Sequence, residues 1–204
     1  MAANARQLAA VTIIAVASLA LAIAYAHVMT YYPTSVTVSP TAPEVGFAPG
    51  SNAGGADIGV TNGNSNTITV TIGQNATSLE LTVHPTYQTT YYQNITLIEN
   101  NSTLKSYSVS IEVASPLSLP SGSKAYLIIY SKGATRSLSG WPIPTPTTGT
   151  YIAEVDLTST GTTAIGTISS GGVWEVDLLI YIPEGVTLPS QQTAELYLIA
   201  TPSS

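Results

Sequence analysis

The chain reads as an all-β protein: a jelly-roll-like antiparallel β-sandwich, with an N-terminal donor strand set apart from it and a hydrophobic leader helix before that. Three observations predict this. From Ile58 onward, apolar residues recur at every second position in segment after segment, the period at which one face of a strand meets a core. Turn-forming pairs separate the segments: Asn62-Gly63, Ser121-Gly122, Gly171-Gly172 and Glu184-Gly185. No stretch after Ala26 carries a helical stripe. Without crossover helices a parallel sheet cannot be wound, which leaves a sandwich or jelly roll.

The leader occupies residues 1–26. Its run 8–26 (LAAVTIIAVASLALAIAYA) is uncharged, and Arg6 is the only charge before it, as in the n-region and h-region of a secretory signal peptide. As a helix at 1.5 Å per residue the run spans about 28 Å, close to a bilayer core. Ala24-Tyr25-Ala26 has the A-x-A form of a cleavage site. Cutting between Ala26 and His27 makes the mature protein secreted and extracellular, with only a transient membrane contact. Retention makes the run an anchor or a filament core.

Residues 27–40 (HVMTYYPTSVTVSP) form a strand-patterned tail. Val28, Tyr32, Val36 and Val38 share one face, and Pro33 restricts the strand to an edge or interrupts it. Residues 41–57 (TAPEVGFAPGSNAGGAD) lack periodicity and read as a flexible linker. Residues 58–204 form the β domain.

Within it, Ile68, Val70 and Ile72 alternate with threonines. Leu79, Leu81 and Val83 alternate with Ser78, Glu80 and Thr82. Tyr107, Val109, Ile111 and Val113 alternate with serines and Glu112, and Tyr151, Ala153, Val155 and Leu157 alternate with Glu154 and Asp156 among others. Trp174, Val176, Leu178, Ile180 and Ile182 form the longest inward set, and Leu196, Leu198 and Ala200 the last. Segments 125–130 (AYLIIY) and 173–182 (VWEVDLLIYI) are apolar on both faces. A sandwich strand needs only one apolar face, so the surplus fits either cover from another element, such as a neighbouring subunit, or a Tyr-rich exposed face. The proline-dense 141–148 (WPIPTPTT) reads as a stiff connector.

Composition narrows the chemistry. Charged residues are 8% of the chain, against about a quarter in ordinary domains, so Ser, Thr, Asn and Tyr supply the surface. Eleven acidic residues face five basic ones, a net charge of −6, and no basic patch is present to neutralise phosphates; nucleic acid is not an expected partner. With no cysteine, disulfides, thiolate metal sites and a Cys nucleophile are excluded. Of the two histidines, His27 lies in the tail and His84 ends a strand before Pro85; no nucleophile–base pair accompanies either. The acidic pairs Glu154/Asp156 and Glu175/Asp177 have the i, i+2 spacing of one strand face and read as solvated outer faces. Neither supplies enough oxygens for Ca²⁺. The expectation is therefore not an enzyme, with no catalytic residue, cofactor or metal.

Sequons place candidate N-glycosylation at Asn75, Asn94, Asn100 and Asn101, the last two overlapping.

A signal peptide, a short strand and a Cys-free all-β body together resemble the TasA-type matrix-fibre subunits of biofilms and, more closely, archaeal bundling-pilus subunits. Residues 94–113 (NITLIENNSTLKSYSVSIEV) are similar to that family's strand–Asn-rich turn–strand unit. Residues 170–201 (SGGVWEVDLLIYIPEGVTLPSQQTAELYLIAT) are similar to its closing hairpin, including the Ile-Pro-Glu-Gly connection at 182–185. The resemblance implies a jelly-roll subunit that inserts its N-terminal strand into the next subunit, with copies of itself as partners in a head-to-tail filament that bundles laterally. Two other readings remain open from the residues. One is a type IV pilin-like subunit whose 8–26 helix forms the filament core. The other is a secreted cell-surface adhesion or carbohydrate-binding module, with Trp141 and tyrosines stacking on sugars.

Overall fold

The computed structural model describes residues 12–18, 42–54, 68–140, 145–147 and 149–203. The chain divides into two units, Met1–Pro40 and Thr41–Ser204. In the first, residues 12–18 are helical, and Ser18 Oγ donates to the Ile14 carbonyl at 2.7 Å. Among the described residues no helix is long and apolar enough to cross a membrane. The Ala26/His27 junction and the donor-strand residues Val28, Tyr32, Val36 and Val38 lie outside the described residues.

The second unit holds the strands β1 (Val45–Pro49), β2 (Ile68–Ile72), β3 (Ser78–Val83), β4 (Gln88–Asn100), β5 (Tyr107–Ser115) and β6 (Lys124–Ser131). They continue as β7 (Leu138–Ser139), β8 (Thr145–Pro146), β9 (Ala153–Asp156), β10 (Gly161–Ile168), β11 (Val173–Ile182) and β12 (Gln192–Pro202). Sheet A has the order β1-β4-β11-β6-β9 and sheet B the order β10-β5-β12-β3-β2; β7 and β8 form a separate ribbon. All the pairings are antiparallel.

With the ribbon and the edge strands β1 and β2 set aside, eight strands remain. Renumbered in chain order, they run 2-7-4-5 in sheet A and 1-8-3-6 in sheet B, the strand order of a jelly roll. Hence most successive strands lie in different sheets. The 94–113 segment carries the chain from β4 in sheet A to β5 in sheet B, and 170–201 carries it from β11 in sheet A to β12 in sheet B. The expected closing hairpin is thus an inter-sheet corner: Pro183 ends β11 by removing a ladder donor, and Gly185 (φ 84°) supplies the left-handed turn.

The alternating sets of the sequence line the core. Leu79, Leu81 and Val83 of β3, Val109, Ile111 and Val113 of β5, and Ala194, Leu196 and Leu198 of β12 face Tyr92 and Ile98 of β4, Leu127 and Ile129 of β6, and Val176, Leu178, Ile180 and Ile182 of β11.

Two expectations are corrected. The stretch 41–57 is not wholly a linker. It contains β1, which pairs Val45 with Asn100 through Pro49 with Thr96 and buries Val45, Gly46 and Phe47. Three inward residues among Gly, Pro and Ala are too few to register as a period, and Pro49 is tolerated because β1 is an edge strand.

The surplus apolar face of β6 and β11 is covered from within the chain. Ile128, Tyr130 and Leu179 form a second buried cluster on the outer face of sheet A. Ala134, Leu138 and Tyr151, from the β6–β9 connection, pack against it. This connection, which includes the β7–β8 ribbon, is a strap over the sheet. Residues 141–144 and 148 of it lie outside the described residues.

Candidate functional site

The four sequon asparagines fall into two pairs. Asn75 is exposed at the β2–β3 turn, which is closed by the Ala76 amide donating to the Gly73 carbonyl at 2.8 Å. Asn101 is exposed just beyond β4, its own amide donating to the Glu44 carbonyl at 2.7 Å. Asn100, one residue earlier, is 2% exposed. Its Nδ2 donates to the carbonyls of Lys105 (2.8 Å), Ser169 (2.9 Å) and Ile168 (3.3 Å), and its Oδ1 accepts from the Ser102 amide at 3.0 Å. Asn100 therefore drops out as a glycosylation candidate in the folded chain. It ties the β4–β5 loop to the β10–β11 loop instead. Asn94 sits in a β-bulge with φ 52°, and its Oδ1 is buried.

Asn75 and Asn101 line the same surface cleft of about 230 Å³. Gly46 and Phe47 of β1 and Ala76 of the turn contribute its apolar lining, and Gln74 and Glu99 polar groups. The cleft forms where β1 meets the β2–β3 turn: the Phe47 amide donates to the Ala76 carbonyl at 2.6 Å. A Cβ on Gly46 would come within 2.9 Å of the Ala76 Cβ, so a larger residue there would push the two apart.

A charged cluster lies under the strap. Asp177, 0% exposed, stands on β11 opposite the bulge in β4, where the register jumps from Val176–Thr96 to Leu178–Tyr92. Its Oδ1 accepts the Asn94 amide at 2.7 Å, so a carboxylate completes hydrogen bonding that the bulge takes from the ladder. Tyr91 Oη donates to Oδ2. Arg136, from the strap, donates through Nε to Asp177 Oδ2 at 2.9 Å and through a terminal nitrogen to Oδ1 at 3.1 Å. It also pairs with Glu175 Oε2 at 2.7 Å, donates to the Ala134 carbonyl at 2.7 Å, and lies 4.7 Å over the Tyr130 ring.

Burial by itself would lower the Arg136 pKa, but the bonds to Asp177 and Glu175 outweigh it and hold the guanidinium above its ordinary value. Burial, then the bond to Asp177, raises the Tyr91 phenol.

The expectation of a solvated outer face therefore fails for Glu175/Asp177. The pair is sealed by a cation from the strap, some forty positions away in sequence, which spacing within a strand cannot reveal. The traces in the sequence are Arg136 itself, one of only five cations in the chain, and an apolar face needing a cover. For Glu154/Asp156 the reading holds in part. Asp156 is exposed and accepts from the Thr158 amide (2.8 Å) and hydroxyl (2.6 Å). Glu154 is half-buried, and burial, followed by the charge of Asp156, raises its pKa.

Chemically, the charged cluster binds its own chain: each carboxylate oxygen of Asp177 already accepts protein donors. Among the described residues no group of three or more His, Cys, Asp or Glu is arranged to hold a metal, and His84 is exposed just past β3. Trp141 lies outside the described residues. No protein-family model matches the chain, and no curated protein is similar enough in sequence to count as a relative.

Proposed function

We propose that the chain is a structural subunit of an extracellular filament, a pilus or biofilm matrix fibre, assembled when residues 27–40 of one copy pair as a donor strand with the body of the next. The observation that carries this reading is the division of the chain at Pro40. The jelly-roll core is built from strands that begin at Val45, and the strand-patterned 27–40 belongs to the other unit. A strand-patterned segment on a chain with only 8% charged residues suits strand addition to another copy. Such addition is head-to-tail and propagates.

The covered outer face of β6 and β11 lends no support, since the strap already occupies it.

Deletion of 27–40 tests the proposal. The shortened chain should give the same β-sheet circular dichroism but no fibres by electron microscopy; fibres of unchanged form would refute it. A second reading has one observation in its favour: residues 12–18 are helical, and Ile13, Ile14 and Val16 on that turn are exposed. A retained 8–26 helix would then form the filament core. Sequencing the N-terminus of shed filaments separates the two, with His27 first for the donor strand and a residue ahead of Leu8 for the helix.

A further inference from the structure

We propose that Asn75 and Asn101 carry N-linked oligosaccharides that converge over one cleft, while Asn94 and Asn100 stay bare. The reaction requires two groups of each sequon: the asparagine amide and the hydroxyl two residues on. At Asn100-Asn101-Ser102 both are taken. The Asn100 amide nitrogen makes three bonds, and Ser102, 6% exposed, accepts from the amides of Lys105 (3.1 Å) and Leu104 (3.4 Å) through Oγ. At Asn94-Ile95-Thr96 the hydroxyl is taken. Thr96 is 0% exposed and donates to the Ala48 carbonyl at 2.8 Å, while Asn94 Oδ1 is buried in the bulge. At Asn75-Ala76-Thr77 the asparagine is exposed and the threonine half-buried at a turn. At Asn101-Ser102-Thr103 both Asn101 and Thr103 are exposed. A sugar on Asn100 would also keep the β4–β5 loop from closing, because no space remains around a side chain bonded on every side.

The co-reactant is an oligosaccharide on a polyprenyl phosphate or diphosphate. The asparagine nitrogen forms a bond to C1 of the first sugar. The C1–O bond to phosphate breaks, the phosphate leaves with the electron pair, and a transferase base takes the amide proton. Both asparagines line the cleft of about 230 Å³ whose apolar lining includes Pro43, Gly46, Phe47 and Ala76 and whose polar groups include Glu99. Two chains growing from its rim cover the end of the sandwich where β1 meets the β2–β3 turn. They bar other strands from that end, whether or not the protein polymerises.

Protein purified from the cells that make it, cleaved and fragmented by electron transfer so that sugars stay attached, should show hexose-based mass increments on Asn75 and Asn101 and none on Asn94 or Asn100. Asn75→Gln and Asn101→Gln should each remove one step of the gel-mobility shift, and the double variant all of it, without altering the β-sheet spectrum. An unmodified Asn75 or Asn101, a sugar on Asn94 or Asn100, or a residual shift in the double variant would overturn the assignment.

Discussion

Arg136 Nε lies 2.9 Å from Asp177 Oδ2, and the pair joins the strap to the centre of sheet A across 41 positions of sequence. Asp177 is fully buried and Arg136 nearly so. A buried ion pair adds little over a well-packed apolar pair, but removing one partner leaves the other charge stranded. Arg136→Met should therefore destabilise the body by about 3–5 kcal/mol, and Arg136→Lys, which cannot reach Asp177 and Glu175 as a fork, by less. Urea unfolding checks the order: wild type, then Arg136→Lys, then Arg136→Met. Equal midpoints would show that the cluster holds nothing together.

Asn100 offers a second, neutral test. Asn100→Ala strands the carbonyls of Lys105 and Ser169 and the Ser102 amide, so a loss of about 1–3 kcal/mol is expected. Hydrogen exchange should localise the effect, with Ser102 and Gly171 exchanging faster, because the Gly171 amide bonds the Ser102 carbonyl at 3.0 Å.

On the outer face of sheet B, Glu80 and Glu195 stand directly opposite each other. Facing like charges on neighbouring strands repel. Glu80→Gln should raise stability by about 0.2–1 kcal/mol, and the gain should shrink in high salt as screening removes the repulsion. A thermal melt at two salt concentrations reads both effects; Glu195 is the poorer choice, since it accepts the Tyr197 hydroxyl at 2.6 Å.

Tyr91, Tyr126 and Tyr130, on the sheet face under the strap, all have pKa values above the ordinary 10.0, in each case chiefly through burial. The unfolded chain then loses these protons at lower pH than the folded one. Their contribution is intact below pH 10 and is lost as pH rises past it. Tyrosinate absorbance should rise in two stages, exposed tyrosines first and the buried ones, these three among them, together with unfolding. A single smooth titration around 10 with the fold retained would contradict the burial of this face.

The β pattern was legible because alternation survives wherever one face meets the core. The sets on β3, β5, β11 and β12 needed no further information. β4 was harder, because its bulge at Asn94 breaks the period between Tyr92 and Thr96. β10 was hidden too: Gly161 and Gly166 leave it few side chains, and its register shifts between Ala164 and Gly166. Its inward residues, Ile165 and Ile168, are three apart and so break the strand period. The candidate sites fared differently. Sequons can be read off any sequence, but only tertiary bonds separate Asn100, locked by groups from two other loops, from its neighbour Asn101, which points to solvent. The Arg136–Asp177 contact links distant segments and leaves no local period.

The positions of β11 and β12 carry a consequence in time. They are the last two described strands to be synthesised, and each occupies the middle of its sheet, β11 between β4 and β6 and β12 between β5 and β3. Until Gln192–Pro202 has emerged, sheet B lacks its central strand, and β3 and β5 have nothing to join them. Contacts this remote in sequence form late and slowly. A ribosome-bound chain would thus remain pliable through nearly all of its length and close into a barrier-protected body only in a final step.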